Sequence, residues 1–408
     1  MAQPFPNHPN LRGGFAPLQM ECDVNDLVIE GEIPKELNGS FYRNGPNPQY
    51  APRGHYHWFG GDGMVHAFNI EDGRVAYRNR WVRTIKWQKE REAGRSLFSA
   101  FNPMDNDESV AGLETDGVAN TNIIWHGGKL LALEEGHAPF ELDPYTLESV
   151  GPHIYGGKLK GPMTAHPKID PENGEMLFFG YNANGTISEH MTFSVVDRDG
   201  KLLRSESFEA PYAAMVHDFV VTHDHVIFPI MPLTGSLQRA FKGGPVYAWD
   251  PQKGSHIGNM PRNGSVKDLK WFRGEASYVF HPMNAYTGDD GKIVCDVCEY
   301  PEAPLFPGVD GQPGDPKKAL AKLVRWTFDL NVQTDRYQVE QLHDLVCEFP
   351  RLDERCAGLP YRFGYFAGDT QPPKKVGGYN VIAAIDHQTG KLSSYDVGEG
   401  CATSEPIF

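Results

Sequence analysis

Short apolar runs alternate with turn signals along the chain. The runs are rich in Val, Ile, Phe and Tyr and are shorter than ordinary helices. Clear examples are NIIWHGGKLLAL from Asn122, EMLFFGYN from Glu175, DFVVTHDHVIFPI from Asp218 and KIVCDVCEY from Lys292. Turn signals such as EDGR, DRDGK, GDDGK and DHQTG separate such runs, and their glycines tolerate the backbone of a tight hairpin. The pattern predicts many short strands joined by hairpins.

The number of predicted strands favours one all-β architecture. No helical segments alternate with the strands, which argues against a parallel α/β sheet. Radial repetition lets one domain keep adding strands, so we predict a β-propeller that forms a single domain over residues 1–408. Two segments differ from this pattern, since PKKALAKL from Pro316 predicts a short helix and residues 86–95 predict a weaker one.

Composition and charge narrow the classes of function. The chain has 44 Gly and 32 Pro in 408 residues, which argues against long helices. Its net charge of −15 would repel a phosphate backbone, so no nucleic-acid partner is expected. No apolar run approaches the ~20 residues of a membrane span, and the N-terminal segment lacks the apolar centre of a secretory signal. With only six Cys, which we interpret as packing residues, the sequence predicts a cytoplasmic protein.

Three of the sixteen histidines occur in tight apolar surroundings. His166 lies in GPMTAHPK, His217 in AAMVHDFVV and His281 in SYVFHPMNAY. Any one of them is more often a hydrogen-bonded core residue than a metal ligand. Their separations of 51 and 64 residues exceed one hairpin, so in a propeller they would come from different blades and point to the central axis. Three imidazoles at one point would suit Fe, Zn, Cu or Ni.

Several longer motifs carry a family resemblance. They are FYRNGPNPQY from Phe41, GHYHWFGGDGMVHAF from Gly54, TAHPKIDPENGEMLFFGY, MVHDF, FHPMNAY, EFPRLDERCAG from Glu348 and the terminal SEPIF. In this order and at this spacing, the chain resembles the carotenoid cleavage oxygenase family over nearly its whole length. The resemblance implies a seven-bladed β-propeller capped by loops and short helices. It also implies a non-haem Fe(II) on the axis with four His ligands, three of which match His166, His217 and His281.

The resemblance also implies carboxylates behind the metal ligands. Glu135, Glu348 and Glu405 match the family's three glutamates, each of which would accept a hydrogen bond from an imidazole and fix its tautomer. The fourth histidine of the family lies beyond SEPIF, whereas this chain stops at Phe408. We therefore expect a chain that lacks its C-terminal part, with incomplete last blades, lower stability and weak iron binding.

The reaction implied by the resemblance is cleavage of a C=C bond by O2 into two carbonyl products. Apolar side chains near the matched motifs, including Phe280 and Met283, are candidates for lining a substrate tunnel. Stilbene-cleaving relatives engage a phenol oxygen with a Tyr and a Lys, and the matching positions here are Phe101 and Glu134. Because Phe has no hydroxyl and Glu would repel a phenolate, we expect a carotenoid or apocarotenoid substrate, with a stilbene as the alternative.

Two interpretations from other classes stay open at the level of sequence. A three-histidine zinc hydrolase would use the same ligands to activate water and would need no O2. A non-catalytic binding propeller would keep the histidines as structural residues, without metal or tunnel. Neither accounts for the glutamate motifs, so the oxygenase ranks first. The sequence leaves the oligomeric state and any peripheral contact with a membrane open.

Overall fold

A computed structural model describes residues 3–54, 56–100, 102–371 and 378–408. The protein divides into two compact units. The N-terminal unit comprises Met1–Ala165 and Asp197–Leu202, and the C-terminal unit comprises His166–Val196 and Leu203–Phe408. Among the described residues, no helix combines the length and apolar character that a membrane crossing requires. That residues 1–408 form a single domain stays a prediction.

Two four-stranded antiparallel sheets form the N-terminal unit. Their orders are β1-β4-β3-β2 and β5-β6-β7-β8. The strands are β1 (Asp23–Val24), β2 (Gly39–Pro46), β3 (Gly63–Glu71), β4 (Arg74–Trp81), β5 (Asn122–His126), β6 (Lys129–Leu133), β7 (Phe140–Leu142) and β8 (Ser149–Pro152). Helix α1 (Ile85–Ala93) follows β4, and short 3-10 helices lie at Pro9–Leu11, Gly13–Phe15, Trp58–Gly60, Pro103–Asp105, Glu108–Val110 and Tyr155–Gly157. Meandering four-stranded sheets of this kind are the units from which propellers are built.

Local sequence explains these elements. The β3–β4 hairpin turns through Asp72 and Gly73, whose φ angles of 50° and 76° fit the type I′ turn that Asp-Gly favours. Thr84 caps the N-terminus of helix α1, because its hydroxyl accepts a hydrogen bond from the backbone N–H of Trp87. Gly94, which has a φ of 68°, caps the C-terminus. The weaker helix prediction over residues 86–95 is therefore confirmed.

The C-terminal unit carries the longer strands. Its antiparallel sheets have the orders β12-β11-β10-β9, β13-β14-β17-β18, β15-β16 and a seven-stranded β19 to β25 in sequence order. The strands are β9 (Lys168–Ile169), β10 (Met176–Gly180), β11 (His190–Val196), β12 (Leu202–Glu209), β13 (Val220–Val221), β14 (His225–Ile230), β15 (Leu233–Gly235), β16 (Tyr247–Trp249), β17 (Ser255–Pro261), β18 (Lys270–Gly274), β19 (Tyr278–Thr287), β20 (Ile293–Tyr300), β21 (Lys322–Phe328), β22 (Gln338–Leu352), β23 (Phe363–Asp369), β24 (Val381–Asp386) and β25 (Lys391–Asp396). Helix α2 spans Leu237–Phe241, and 3-10 helices span Pro251–Lys253, Val266–Asp268 and Glu354–Cys356.

An aromatic core holds the first two of these sheets together. The rings of Phe179 on β10 and Phe219 before β13 lie 5.2 Å apart, and Phe228 on β14 stacks on Phe219 at 6.1 Å. All three side chains are fully buried. Such aromatic pairs add stability beyond the burial of their surface.

The strand predictions hold where the apolar runs are longest, and one helix prediction is wrong. KIVCDVCEY contains β20, and its two cysteines are buried as predicted. The segment PKKALAKL does not form a helix, because turn residues follow Pro316 and β21 begins at Lys322. Residues 322–328 pair with β20 and bury Leu323, Val324, Trp326 and Phe328, so strand pairing overrides local helix propensity.

A buried ion cluster fixes the middle of the seven-stranded sheet. The fully buried Asp296 on β20 accepts two hydrogen bonds from the guanidinium of Arg325 on β21, at 2.7 and 2.9 Å. It also accepts one from the Tyr361 hydroxyl at 2.6 Å. Hydrogen bonding to Asp296 raises the pKa of Arg325, and burial raises the pKa of Tyr361 well above its ordinary value.

Removing the carboxylate should therefore weaken the sheet. We expect Asp296→Ala to lower the free energy of unfolding by about 3 kcal/mol, because Arg325 loses its partner inside the protein. Urea denaturation followed by tryptophan fluorescence measures this change. The control is Asp344→Ala, since Asp344 is 85% exposed where it pairs with Lys322. Its expected shift is not measurable, and equal shifts for the two variants would contradict the argument.

Candidate metal centre

Three histidines of the C-terminal unit meet at one point. Nε2 of His217 lies 2.9 Å from Nε2 of His166 and 3.0 Å from Nε2 of His281. The possible ligand atoms of all three lie within 4.8 Å of one another. His217 is buried and the other two residues are half-buried. The convergence predicted from three separate apolar motifs is therefore present in the structure.

Each histidine lies in or just before the edge strand of a different sheet. His166 precedes β9, His217 precedes β13, and His281 lies within β19. These strands stand at the ends of three different sheet orders. The arrangement agrees with the prediction that different blades each contribute one imidazole.

Irregular backbone in β19 reorients the His281 side chain relative to the regular pairing with β20. The register of β19 against β20 shifts at Pro282, directly after His281. Proline has no N–H to donate, and a bulge re-aims the neighbouring side chain. A second shift on β22 lies between Glu348 and Arg351, where Phe349 has a φ of 54°. Both motifs that carry this half of the site, FHP and EFP, combine a functional side chain with a proline.

Glu348 fixes the orientation of His281. Nδ1 of His281 donates to Oε2 of Glu348 at 2.7 Å, and Glu348 is 2% exposed. The backbone N–H of Phe349 donates to the same oxygen, and the Phe349 ring lies 5.2 Å from the imidazole. A hydrogen on Nδ1 leaves the lone pair of Nε2 free for a metal. Sequence reasoning missed Phe349, although its position beside Glu348 in EFPR marks it.

Charge acts differently on the two half-buried histidines. Burial, followed by the neighbouring imidazoles, holds the pKa of His166 well below its ordinary value. Burial also opposes protonation of His281, but the Glu348 carboxylate outweighs it and raises the pKa. His166 is therefore a neutral nitrogen donor at neutral pH. Three imidazole side chains at one point are a donor set that suits a divalent ion such as Fe, Zn, Cu or Ni, so the residues present fit the metal that the resemblance implies.

The other candidate residues of this unit lie in distinct surroundings. The Phe280 ring makes an edge contact with the His217 ring at 5.1 Å, so it packs directly behind the metal centre. Met283 is buried against Gly364 of β23. Oε1 of Glu405 accepts a hydrogen bond from Arg351 at 3.3 Å, an ion pair that the sequence did not indicate.

The remaining candidates belong to the N-terminal unit. Glu134 and Glu135 follow β6 and are both half-buried. The Glu134 carboxylate accepts a hydrogen bond from Nδ1 of His137. Burial opposes protonation of His137, but Glu134 outweighs it and raises the pKa. Phe101 lies outside the described residues. The roles assigned to these residues stay predictions.

Comparison with known proteins now identifies the family. Residues 15–408 match the family described as retinal pigment epithelial membrane protein. The chain is 42% identical to isoeugenol monooxygenase of Pseudomonas putida, over 98% of this chain and 86% of that protein. The chain therefore belongs to the carotenoid cleavage oxygenase family, and it is an oxygenase with a three-histidine metal site. This membership argues against the zinc hydrolase and the non-catalytic propeller.

Solved structures agree with this assignment. The lignostilbene dioxygenase of Pseudomonas brassicacearum matches with a TM-score of 0.93 and 37% identity, over 100% of this chain and 87% of that one. The cobalt-substituted apocarotenoid oxygenase of Synechocystis matches with a TM-score of 0.81 and 29% identity, over 93% and 82%. The predicted all-β propeller class is thereby confirmed.

The hydrogen bond from His281 to Glu348 generates a first test of the site. We expect Glu348→Gln to weaken Co(II) binding by the metal-free protein about 10-fold or more, because a neutral amide orients His281 less strongly. Titration followed by visible absorption measures the dissociation constant. The control is Glu340→Gln, which removes an exposed carboxylate from the same strand. An unchanged affinity in Glu348→Gln would contradict the role of this carboxylate.

A second test uses the link between metal binding and stability. A metal that binds only the folded protein, at 100 times its dissociation constant, stabilises that protein by about 2.7 kcal/mol. Thermal melts with and without Fe(II), under anaerobic conditions, should show this stabilisation. His217→Ala should abolish it, because His217 lies within 3.0 Å of both other imidazole nitrogens. An equal stabilisation in that variant would place the metal elsewhere.

Proposed function

We propose that this protein is an Fe(II)-dependent oxygenase that acts on a phenolic aryl alkene of the propenylphenol or stilbene class and cleaves the C=C bond of the side chain. One O2 is consumed, the C=C bond breaks, and each of its carbons becomes a carbonyl carbon. The convergence of His166, His217 and His281 carries the proposal. Support for the substrate class comes from the names of similar proteins, isoeugenol monooxygenase and lignostilbene dioxygenase.

The three imidazoles would hold the iron, and the bound iron would supply the activation of O2. Glu348 would orient His281 through their hydrogen bond, so that the Nε2 lone pair of His281 points to the metal. Phe280 would keep water from the His217 side, because the two rings pack against each other in an edge contact. On the strength of the resemblance alone, we include an orienting role for Glu135 in the proposal. Glu405 would orient the fourth histidine of the family, whose position lies beyond Phe408.

The choice of a phenolic substrate revises the preference for a carotenoid. That preference relied on Phe101, which has no hydroxyl to donate, and on Glu134, whose carboxylate would repel a phenolate. A free phenol has a pKa near 10, so at neutral pH it keeps its proton and can donate a hydrogen bond to a carboxylate. Glu134 is thus compatible with a neutral phenol, and we include it with Phe101, Phe280 and Met283 among the proposed substrate contacts.

Product analysis tests the proposed reaction. Protein loaded anaerobically with Fe(II) would be mixed with isoeugenol, a 4-hydroxystilbene or an apocarotenal, and then exposed to 18O2. We expect the two phenolic alkenes to give 18O-containing aldehydes, with one O2 consumed per alkene. Cleavage of the apocarotenal alone would restore the carotenoid interpretation. Failure to cleave any of the three by iron-loaded protein would refute the proposed function.

A phenolic alkene and its methyl ether together test whether Glu134 recognises the phenol hydroxyl. We expect Glu134→Gln to raise KM several-fold for a phenolic alkene and to leave KM unchanged for its methyl ether, which has no hydroxyl hydrogen to donate. Steady-state oxygen uptake measures both constants. Glu148→Gln, an exposed position in the same unit, is the control. Equal effects on both substrates would show that Glu134 does not recognise the hydroxyl.

A further inference from the structure

A lysine and an aspartate join the two segments that carry His166 and His217. Nζ of Lys168 lies 2.7 Å from Oδ1 of Asp218. Lys168 is two residues after His166, and Asp218 directly follows His217. The side chain of Asp218 is 4% exposed and that of Lys168 is 30% exposed, so this is a largely buried ion pair at the edge of the metal centre.

Each partner is anchored by its own backbone. Lys168 is the first residue of β9 and pairs with Leu177 of β10. Asp218 also accepts a hydrogen bond from the N–H of Phe219 at 2.6 Å. Phe219 is fully buried, and the ammonium of Lys168 lies 5.8 Å from the centre of its ring. The ion pair therefore connects a strand of one sheet to the core beneath another.

The segments that contain His166 and His217 have no regular secondary structure. Residues 215–219 have no helical or strand assignment, and residues 162–167 include only bends and irregular backbone. A ladder of strand hydrogen bonds therefore does not determine the separation of the two imidazoles. The Lys168 to Asp218 contact spans this gap within one or two residues of each ring.

We propose that the Lys168–Asp218 ion pair is a positioning device that sets the separation of the His166 and His217 ligand atoms. The proposal rests on the proposed function, because it takes these histidines as metal ligands. A cation alone beside a divalent metal would repel it, and an anion alone would attract it. Paired, the two charges largely cancel, so the contact constrains geometry and adds little net charge to the site.

Two simpler roles make different predictions. If the pair acted only through charge, neutralising both partners together would restore metal binding. If it only stabilised the fold, the variants would lower the melting temperature and leave the spectrum of the bound metal unchanged. Single and double substitutions separate these cases, because the double variant removes the contact without changing net charge.

The experiment uses the whole 408-residue chain in its metal-free form, titrated with Co(II) and followed by visible absorption and by competition with a chelator. The variants are Asp218→Asn, Lys168→Met, their combination, and the conservative Lys168→Arg. We expect the double variant to bind Co(II) about 10-fold more weakly and with a shifted absorption band. Asp218→Asn should be weaker still, because it leaves an unpaired cation, and Lys168→Arg should stay within about 2-fold of wild type.

The control is the double variant of Lys322 and Asp344, an exposed pair 3.0 Å apart in the same unit. It should bind Co(II) as the wild type does. Wild-type affinity and spectrum in the Lys168 and Asp218 double variant would overturn the proposal, as would an equal loss in the control. Wild-type protein that binds Co(II) but cleaves no alkene when loaded with iron would refute the proposed function and leave the positioning role intact.

Discussion

The site depends on the fold holding three imidazole nitrogens at one point, with Nε2 of His217 within 3.0 Å of Nε2 of both His166 and His281. Burial removes water from the rings, and at least one of them, His166, is kept neutral by it. Nitrogen donors that converge in this way suit a divalent cation, which can accept a lone pair from each of them. The bulges, the buried carboxylate and the ion pair beside the site all serve this convergence.

Regular strands make the sheets rigid, and interruptions in the strands redirect individual side chains. Side chains on an undisturbed strand alternate between two faces, so a ladder alone cannot turn a chosen residue toward a common centre. Pro282 on β19 and the positive φ of Phe349 on β22 break the alternation at His281 and Glu348. These two residues meet at 2.7 Å because both strands are irregular at the right place.

Three buried carboxylates of the C-terminal unit are each paired with a nitrogen donor. Asp296 with Arg325, Glu348 with His281 and Asp218 with Lys168 each combine a carboxylate that is at most 5% exposed with a nitrogen donor. A buried pair of this kind contributes little net stability, whereas the loss of one partner is costly. Each pair joins two separate segments of this unit and so favours one arrangement of them.

Residue order was sufficient to identify the all-β class, the family, the three histidines and Glu348, because periodic apolar runs and motif spacing depend on nothing else. It could not reveal that PKKALAKL would join a turn and a strand, since pairing with β20 decides that segment. Nor could it reveal the ion pair of Lys168 with Asp218 or that of Arg351 with Glu405, because these partners are 50 and 54 residues apart. Such contacts arise only when folding brings distant segments together, so the way the ligands are held follows from the folded arrangement and not from any local pattern.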